Sequence, residues 1–371
     1  MLTRPSPVAV PESEQHWVDT VAGLAPSFAA TVAADDAEAR LPIDHLRTLQ
    51  ETGLDAAFLP REHGGEGLSY ATLGTVVRTL AAAHPAVATV WLMHLGAAHA
   101  LVTLSSPEEA AFFASELRAG KRFANALSEP AGGNFFLASQ QDATPAGEDW
   151  TLTGRKVFVS GSEAADYLFL NTRIDGNPAF VGVTVDETVS FPPIEETVGM
   201  RATRSRTILF ENTPLLRSRL CAPPAPEYAN LITVGFAFLS IGIASAAIDA
   251  IAQVANKEKG GTKLADVQWV RMQTAAAWAE VEAARLLAER TAFLADQRSP
   301  EAMLAATEAK MHANEVAKRT AEVAVRIGGG SGYLLTSPIQ RIFRDAQAGA
   351  LMAYSVPFSQ DVVGGWVLQA S

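Results

Sequence analysis

The histidines, the single cysteine and the glycine-rich runs are where this 371-residue chain could do chemistry. His94 and His99 stand five residues apart, which is not the i, i+4 spacing that puts two metal-binding imidazoles on one helical face. No Cys/His cluster and no Ser-His-Asp motif accompanies them, so neither a metal centre nor hydrolase chemistry is expected. The run Gly328-Gly329-Gly330-Ser331-Gly332 is more suggestive. Its glycines predict a loop that cannot hold a helix and that lets backbone approach a phosphate or an adenine closely. Phe158, taken alone, reads as a strand aromatic turned inward, with the hydroxyl of Ser160 close by.

The rest of the chain must position such groups. Hydrophobic residues make up 48% and charged residues 19%, the balance of an ordinary folded enzyme. A net charge of −11 and the lack of a basic stripe give nucleic-acid binding no support. One cysteine, Cys221, excludes an internal disulfide and fits a reducing compartment. No apolar run follows the opening Met1-Leu2-Thr3-Arg4-Pro5-Ser6-Pro7, so no secretory signal and a cytoplasmic location are expected. The most apolar window, 231–251, is rich in alanine and glycine and contains Ser240, Ser245 and Asp249. That composition predicts a helix buried in protein rather than a membrane span.

Periodicity divides the chain into residues 1–121, helical; 122–222, β; and 223–371, a helical bundle. Ser106-Pro107-Glu108-Glu109 is a helix start, with serine as cap, proline in the first turn and glutamate reaching back. The glycines and proline of 53–67 predict a tight surface connection. In the middle region Trp150-Thr151-Leu152, a turn at Thr153-Gly154, and Lys156-Val157-Phe158-Val159 predict strand, hairpin and strand. Further short strands over Tyr167-Leu168-Phe169-Leu170, Ala179-Phe180-Val181-Gly182-Val183 and Thr207-Ile208-Leu209-Phe210 suggest a small barrel or sandwich. Beyond Pro226, Met272, Ala276, Ala279, Ala283 and Leu286 recur at spacings of three and four, as a narrow seam of a four-helix bundle would. Ser337-Pro338-Ile339-Gln340 repeats the capping logic and opens a last long helix.

Six segments in this order resemble the acyl-CoA dehydrogenase superfamily over nearly the whole chain. Segment 53–67 is similar to the family's G-L-x-G-x-x-x-P-x-x-x-G-G-x-G, and Leu127-Ser128-Glu129-Pro130-Ala131-Gly132-Gly133 to its T-E-P-x-x-G loop. Leu152-Thr153-Gly154-Arg155-Lys156-Val157-Phe158-Val159-Ser160-Gly161 with Ala165-Asp166 resembles L-x-G-x-K-x-W-I-T-N…A-D. Gly199-Met200-Arg201 with Phe210-Glu211-Asn212 resembles G-M-R…F-D-x-V. Gly329-Gly330-Ser331-Gly332-Tyr333 and Arg341-Ile342-Phe343-Arg344-Asp345-Ala346 resemble G-G-x-G-Y and R-x-x-R-D-A.

The resemblance implies an α+β fold: an N-terminal helical domain, a small middle β-barrel or sandwich domain and a C-terminal four-helix bundle. It also implies FAD between β-domain and bundle. Phe158 would cover a face of the ring where the family often has tryptophan, and Ser160 would offer its hydroxyl to N5. Leu127, Ser128 and Gly133, on the glycine-bearing loop, would meet the pyrimidine edge. Gly329, Gly330 and Gly332 would serve the flavin of a neighbouring subunit, which implies a homodimer or homotetramer. Arg326 stands where the family has glutamine. It could pair with a flavin phosphate or cap the preceding helix.

The chain departs from the family where the family's base should be. The carboxylate expected eight residues after Asp345 is Ala353, followed by Tyr354 and Ser355. A second position, used by fewer relatives, falls at Ile232, with Glu227 five residues earlier. The family's nearby arginine, implied to help hold the CoA nucleotide, is Thr233, and its R-x-x-F-G becomes Lys257-Glu258-Lys259-Gly260-Gly261.

Three readings follow. One is an FAD oxidoreductase acting on an acyl substrate, CoA- or carrier-linked, with an electron-transfer partner. Another is a monooxygenase of the same fold that takes reduced FMN from a flavin reductase. Its dry pocket would come from Leu351-Met352-Ala353-Tyr354, though it lacks the histidine that such relatives often carry just after R-D. The third is a flavin- or acyl-binding subunit without catalysis.

Overall fold

The computed structural model describes residues 8–130 and 139–369. Its first part holds α1 (Gln15–Glu38), α2 (Ile43–Glu51), α3 (Leu54–Ala57), α4 (Tyr70–Ala83), α5 (Pro85–Leu104) and α6 (Pro107–Arg118). Ser106 caps α6 through the Glu109 amide at 3.4 Å. The Glu109 carboxylate does not reach back as expected. It takes Ser218 Oγ (2.7 Å) and Arg219 Nε (3.2 Å) from the end of the β-domain, because a charged donor outcompetes a lone amide.

Segment 53–67 is more than a surface connection. Its first half forms α3 and buries Leu54, Asp55, Phe58 and Leu59. Asp55 accepts from Trp91 Nε1 (2.6 Å) and His94 Nε2 (3.2 Å), while His94 Nδ1 accepts the Phe123 amide (2.9 Å). His94 therefore carries its proton on Nε2 and ties α5 to the first strand. His99 lies elsewhere, its ring over Tyr228 at 6.2 Å.

Two sheets form the middle of the chain. One has the order β1 (Phe123–Ala126), β4 (Tyr167–Ile174), β5 (Asn177–Thr184); the other runs β2 (Thr144–Ala146), β3 (Asp149–Val159), β7 (Arg206–Leu215), β6 (Val189–Ser190). Leu152, Val159, Leu168, Val181, Ile208 and Phe210 belong to one buried cluster drawn from both sheets, which makes this a sandwich. The expected hairpin at Thr153-Gly154 is absent. β3 runs through it unbroken against β7, and the glycine marks a register shift between Leu152 and Gly154.

The chain then returns to helix: α7 (Leu231–Ala255), a small hairpin of β8 (Glu258–Lys259) and β9 (Thr262–Lys263), α8 (Gln268–Asp296), α9 (Ala302–Gly332), α10 (Pro338–Ala348) and α11 (Val356–Gln369). α5 and α7 are long and apolar enough to cross a membrane, but 83% and 94% of their apolar windows are buried within the protein. Three sequence expectations change here. Met272, Ala276, Ala279, Ala283 and Leu286 face outward, and α8 buries Val270, Ala277, Val281, Ala284, Ala288 and Ala292 instead. Both sets keep helical spacing, so period alone could not choose the face. The glycine run is a kink rather than a loop: only Gly329 leaves helical geometry (φ 56°, ψ −147°), a conformation open to glycine. α10 is capped by Ser337 as expected, but at 11 residues it is short and α11 follows it.

Candidate functional site

On the β-side, the register shift between Lys156 and Val159 throws Phe158 out of the strand. Its φ is +56° and its ring is 69% exposed, so it is not the inward aromatic its strand pattern suggests. A bulky side chain in the left-handed region is strained, and here the strain presents a bare aromatic face. Ser160, two residues on, is nearly buried and starts a row of hydroxyls. Ser160 Oγ lies 2.8 Å from Ser205 Oγ, Ser205 Oγ lies 2.8 Å from Thr203 Oγ1, and Thr203 Oγ1 donates to Met200 O at 2.8 Å. One proton per hydroxyl then orders the row outward from Ser160. In that arrangement Ser160 turns lone pairs, not its proton, to the open side.

Leu127 and Ser128 are half-buried on the irregular segment that follows β1, and Ser128 O accepts the amide of Val157 at 2.9 Å, just before Phe158. Gly133 lies outside the described residues. A buried ion pair that the sequence reading missed fixes the chain at Glu129, next to Ser128. Lys156 Nζ, with no exposed surface, donates to Glu129 Oε1 (2.6 Å) and Asn171 Oδ1 (2.7 Å). Ser139 Oγ and the Gln140 amide also donate to the Glu129 carboxylate. Burial pushes that carboxyl up, but Lys156, Ser139 and Gln140 together hold it below its ordinary value.

The bundle side is the stretch after α10. Ala353, Tyr354 and Ser355 are half-buried there, and Tyr354 has φ +56°. The Tyr354 hydroxyl meets Thr233, which has 2% exposure; that position faces the bundle interior and not a nucleotide at the surface. Burial pushes the Tyr354 hydroxyl up. Ile232 fills the space beside Gly96 of α5, where its Cγ1 lies 2.2 Å from the place a Cβ would occupy. Glu227 is exposed ahead of α7. Neither expected base position therefore holds an acid, and Glu227 does not enter the bundle. Leu351, expected in an apolar pocket, is 81% exposed; Met352, Ala353 and Tyr354 are the half-buried members. A second residue missed in the sequence is Lys310 of α9, fully buried, which donates to Gly349 O and Tyr354 O at 2.9 Å each.

The two sides are joined through α10. Asp345 Oδ1 accepts the Met200 amide (2.7 Å), Arg344 Nη1 donates to Val198 O (2.7 Å), and Arg344 pairs with Asp36 of α1. Gly161 N in turn donates to Thr203 O at 3.0 Å. Arg326 and Gly329, Gly330 and Gly332 stand apart from this group. Arg326 is 59% exposed at its side chain and pairs with Glu322 one turn back (3.0 Å), so it caps nothing, and nothing lies within 4 Å of a Cβ at Gly329 or Gly330. No cluster of three potential metal ligands occurs among the described residues.

These residues fit a flavin. A bare aromatic face on a strained bulge with a hydroxyl beside it answers the flat, apolar ring and polar edge of an isoalloxazine, and the separate glycine kink opens onto free space. Comparison with known proteins agrees. The acyl-CoA dehydrogenase N-terminal domain matches residues 11–121, the middle domain 124–213 and the C-terminal domain 233–353. The mitochondrial short-chain specific acyl-CoA dehydrogenase of Bos taurus is 26% identical over 382 residues, covering 98% of this chain and 92% of the relative. The fold matches butyryl-CoA dehydrogenase of Megasphaera elsdenii, with a TM-score of 0.88 at 21% identity over 99% of this chain and 100% of that one. It also matches methanesulfinate monooxygenase of Pseudomonas fluorescens, with a TM-score of 0.85 at 21% identity over 95% and 97%. With all three domains matched in order, the chain belongs to the acyl-CoA dehydrogenase family.

Proposed function

We propose that this flavin-dependent oxidoreductase oxidises the α,β C–C bond of an acyl thioester or a related acyl substrate. The observation that supports it is the bare Phe158 face beside Ser160, on a chain alike over 98% of its length to a short-chain acyl-CoA dehydrogenase. Bound FAD would supply the hydride acceptor. The chain's own residues do the rest. Phe158 would cover one ring face, Ser160 stands beside it with its proton given to Ser205, and the Lys156–Glu129 pair holds the segment bearing Ser128. Ala353 and Ile232 cannot take a proton, so neither is the base that this reading requires for the α-proton.

A second reading, a monooxygenase fed with reduced FMN by a flavin reductase, is favoured by one observation. The half-buried wall of Met352, Ala353 and Tyr354 carries no acid, and oxygen chemistry on a flavin needs dryness more than a base. The purified protein distinguishes the two. Extracted FAD that bleaches anaerobically with an acyl thioester supports the first. A colourless protein that consumes oxygen only with reduced FMN and a reductase overturns it. Ala353→Glu is expected to gain thioester oxidation on the first reading, and an FAD-loaded variant with no gain counts against that pocket.

A homodimer or homotetramer fits the outward stripe of α8, where Met272 is 63% and Leu286 45% exposed. The acyl substrate would be CoA- or carrier-linked, with an electron-transfer partner on the first reading, and the single thiol suits a cytoplasmic setting.

A further inference from the structure

Lys310 is the buried ionisable group that the proposed chemistry leaves unused. Its two 2.9 Å bonds, to Gly349 O and Tyr354 O, grip the stretch carrying Ala353 at both ends, and the ring of Phe236 of α7 lies 5.2 Å away. Neighbouring polar groups reinforce the same carbonyls. Asn314 Nδ2 donates to Gly349 O (2.8 Å), Ser240 Oγ donates to Asn314 Oδ1 (2.6 Å), and Ser359 Oγ of α11 donates to Tyr354 O (3.0 Å). Gly349 sits so close that a Cβ there would lie 2.6 Å from Asn314 Oδ1. Tyr354 keeps its positive φ under this grip, a conformation that persists in a bulky residue only where its surroundings over-determine it.

We propose that Lys310 is the positioning residue of the site: its ammonium draws both ends of 349–354 onto the bundle, and so fixes the face that Ala353 and Tyr354 turn to the substrate. This rests on the reading of that stretch as the bundle wall of the flavin site.

No carboxylate answers the ammonium among the described residues. On α9 and α10, Glu308 pairs with Arg290, Glu315 with Lys318, Glu322 with Arg326, Asp345 with Arg341, and Arg344 with Asp36. Arg319 pairs with Glu280 of α8. His312 on α9, Asp249 on α7 and Asp361 on α11 complete the ionisable groups of these elements apart from the tyrosines, and none of them acts on Lys310. The Tyr354 hydroxyl is turned to Thr233. With no carboxylate to answer it, burial pushes Lys310 down to about 7.

Two effects then run in opposite directions. As pH rises through 7, the bonds to Gly349 O and Tyr354 O lose their charge, and openings of the stretch that leave Lys310 dry among the helices become easier. Over the same range the unfolded chain keeps the lysine proton, up to its ordinary value of 10.5, while the native state sheds it, so the contribution of Lys310 to overall stability rises. A lysine that merely supports the fold would move both together.

Hydrogen exchange of amides 350–359, followed from pH 6 to 9 with and without added FAD and corrected for intrinsic rates, tests this. The wild type is expected to open roughly 3- to 10-fold more readily across a midpoint near 7, with β3 unchanged. Lys310→Met should be open already at pH 6 and show no midpoint. Equal protection in both proteins, or a stretch that opens only together with α7 and β3, would overturn the proposal. If Lys310→Met does not fold, the wild-type pH series still decides, alongside Gly349→Ala, which should open the stretch at every pH. Failure to bind FAD would sink the functional reading, whereas the FAD-free exchange series tests Lys310 independently.

Discussion

Lys156 and Lys310 are both without exposed surface, and each secures a loop on one side of the site. Lys156 does so through a carboxylate, Glu129, which itself takes Ser139 and the Gln140 amide. Lys310 has only carbonyl oxygens and a ring. The first arrangement is costly to break, because removing one ion leaves the other buried and unanswered. The second is weaker but adjustable, because the ammonium can give up its proton near neutral pH. The β-side is therefore built as a fixed platform and the bundle side as a wall that can yield.

The largest effect should come from Lys156→Met, which strands the Glu129 carboxylate. A loss of roughly 3–5 kcal/mol in chemical denaturation is expected. The pH dependence supplies the sign. Glu129 is held below its ordinary 4.5, so its contribution is present above that value and lost as pH falls through the native one. In the variant burial prevails, and its contribution should reverse, costing more at pH 7 than at pH 4. Lys310→Met should change global stability by less than about 1.5 kcal/mol, since Asn314 and Ser359 still donate to the same carbonyls and the cost of burying the ammonium disappears. Equal losses from the two lysines would erase the comparison. Phe158→Gly relieves a left-handed aromatic and should alter stability by about 1 kcal/mol or less, while flavin affinity, read by fluorescence, falls about tenfold. Arg326→Ala removes an exposed pair worth about 0.3–0.5 kcal/mol. A larger drop in FAD affinity than in stability would assign Arg326 to the phosphates.

The order helix, sandwich, bundle was legible because hydrophobic period changes sharply near Phe123 and again beyond Pro226, and because turn residues punctuate the strands. Which face of α8 is buried was not, because Met272 and Val270 belong to stripes of the same spacing. At the site, motif order pointed to Phe158 and Ser160, but only the bulge shows how Phe158 escapes the strand. The two lysines went unread for one reason. A lysine in a strand or helix is assumed to be solvated, and its partners lie far off in sequence: Glu129 for one, Gly349 for the other. A signal was present for Lys310, which keeps helical phase with the buried Ala306, Ala313 and Ala317.

Gly199 and Arg344 carry one further consequence. A Cβ on Gly199 would stand 2.3 Å from Arg344 O, and the neighbouring Met200 amide bonds Asp345 across 145 residues of chain. The two short motifs are thus halves of one joint. A chimaera that exchanged the middle domain with that of a relative would have to carry both halves from the same parent, and the point of exchange matters less than whether residues 199–200 and 344–345 travel together.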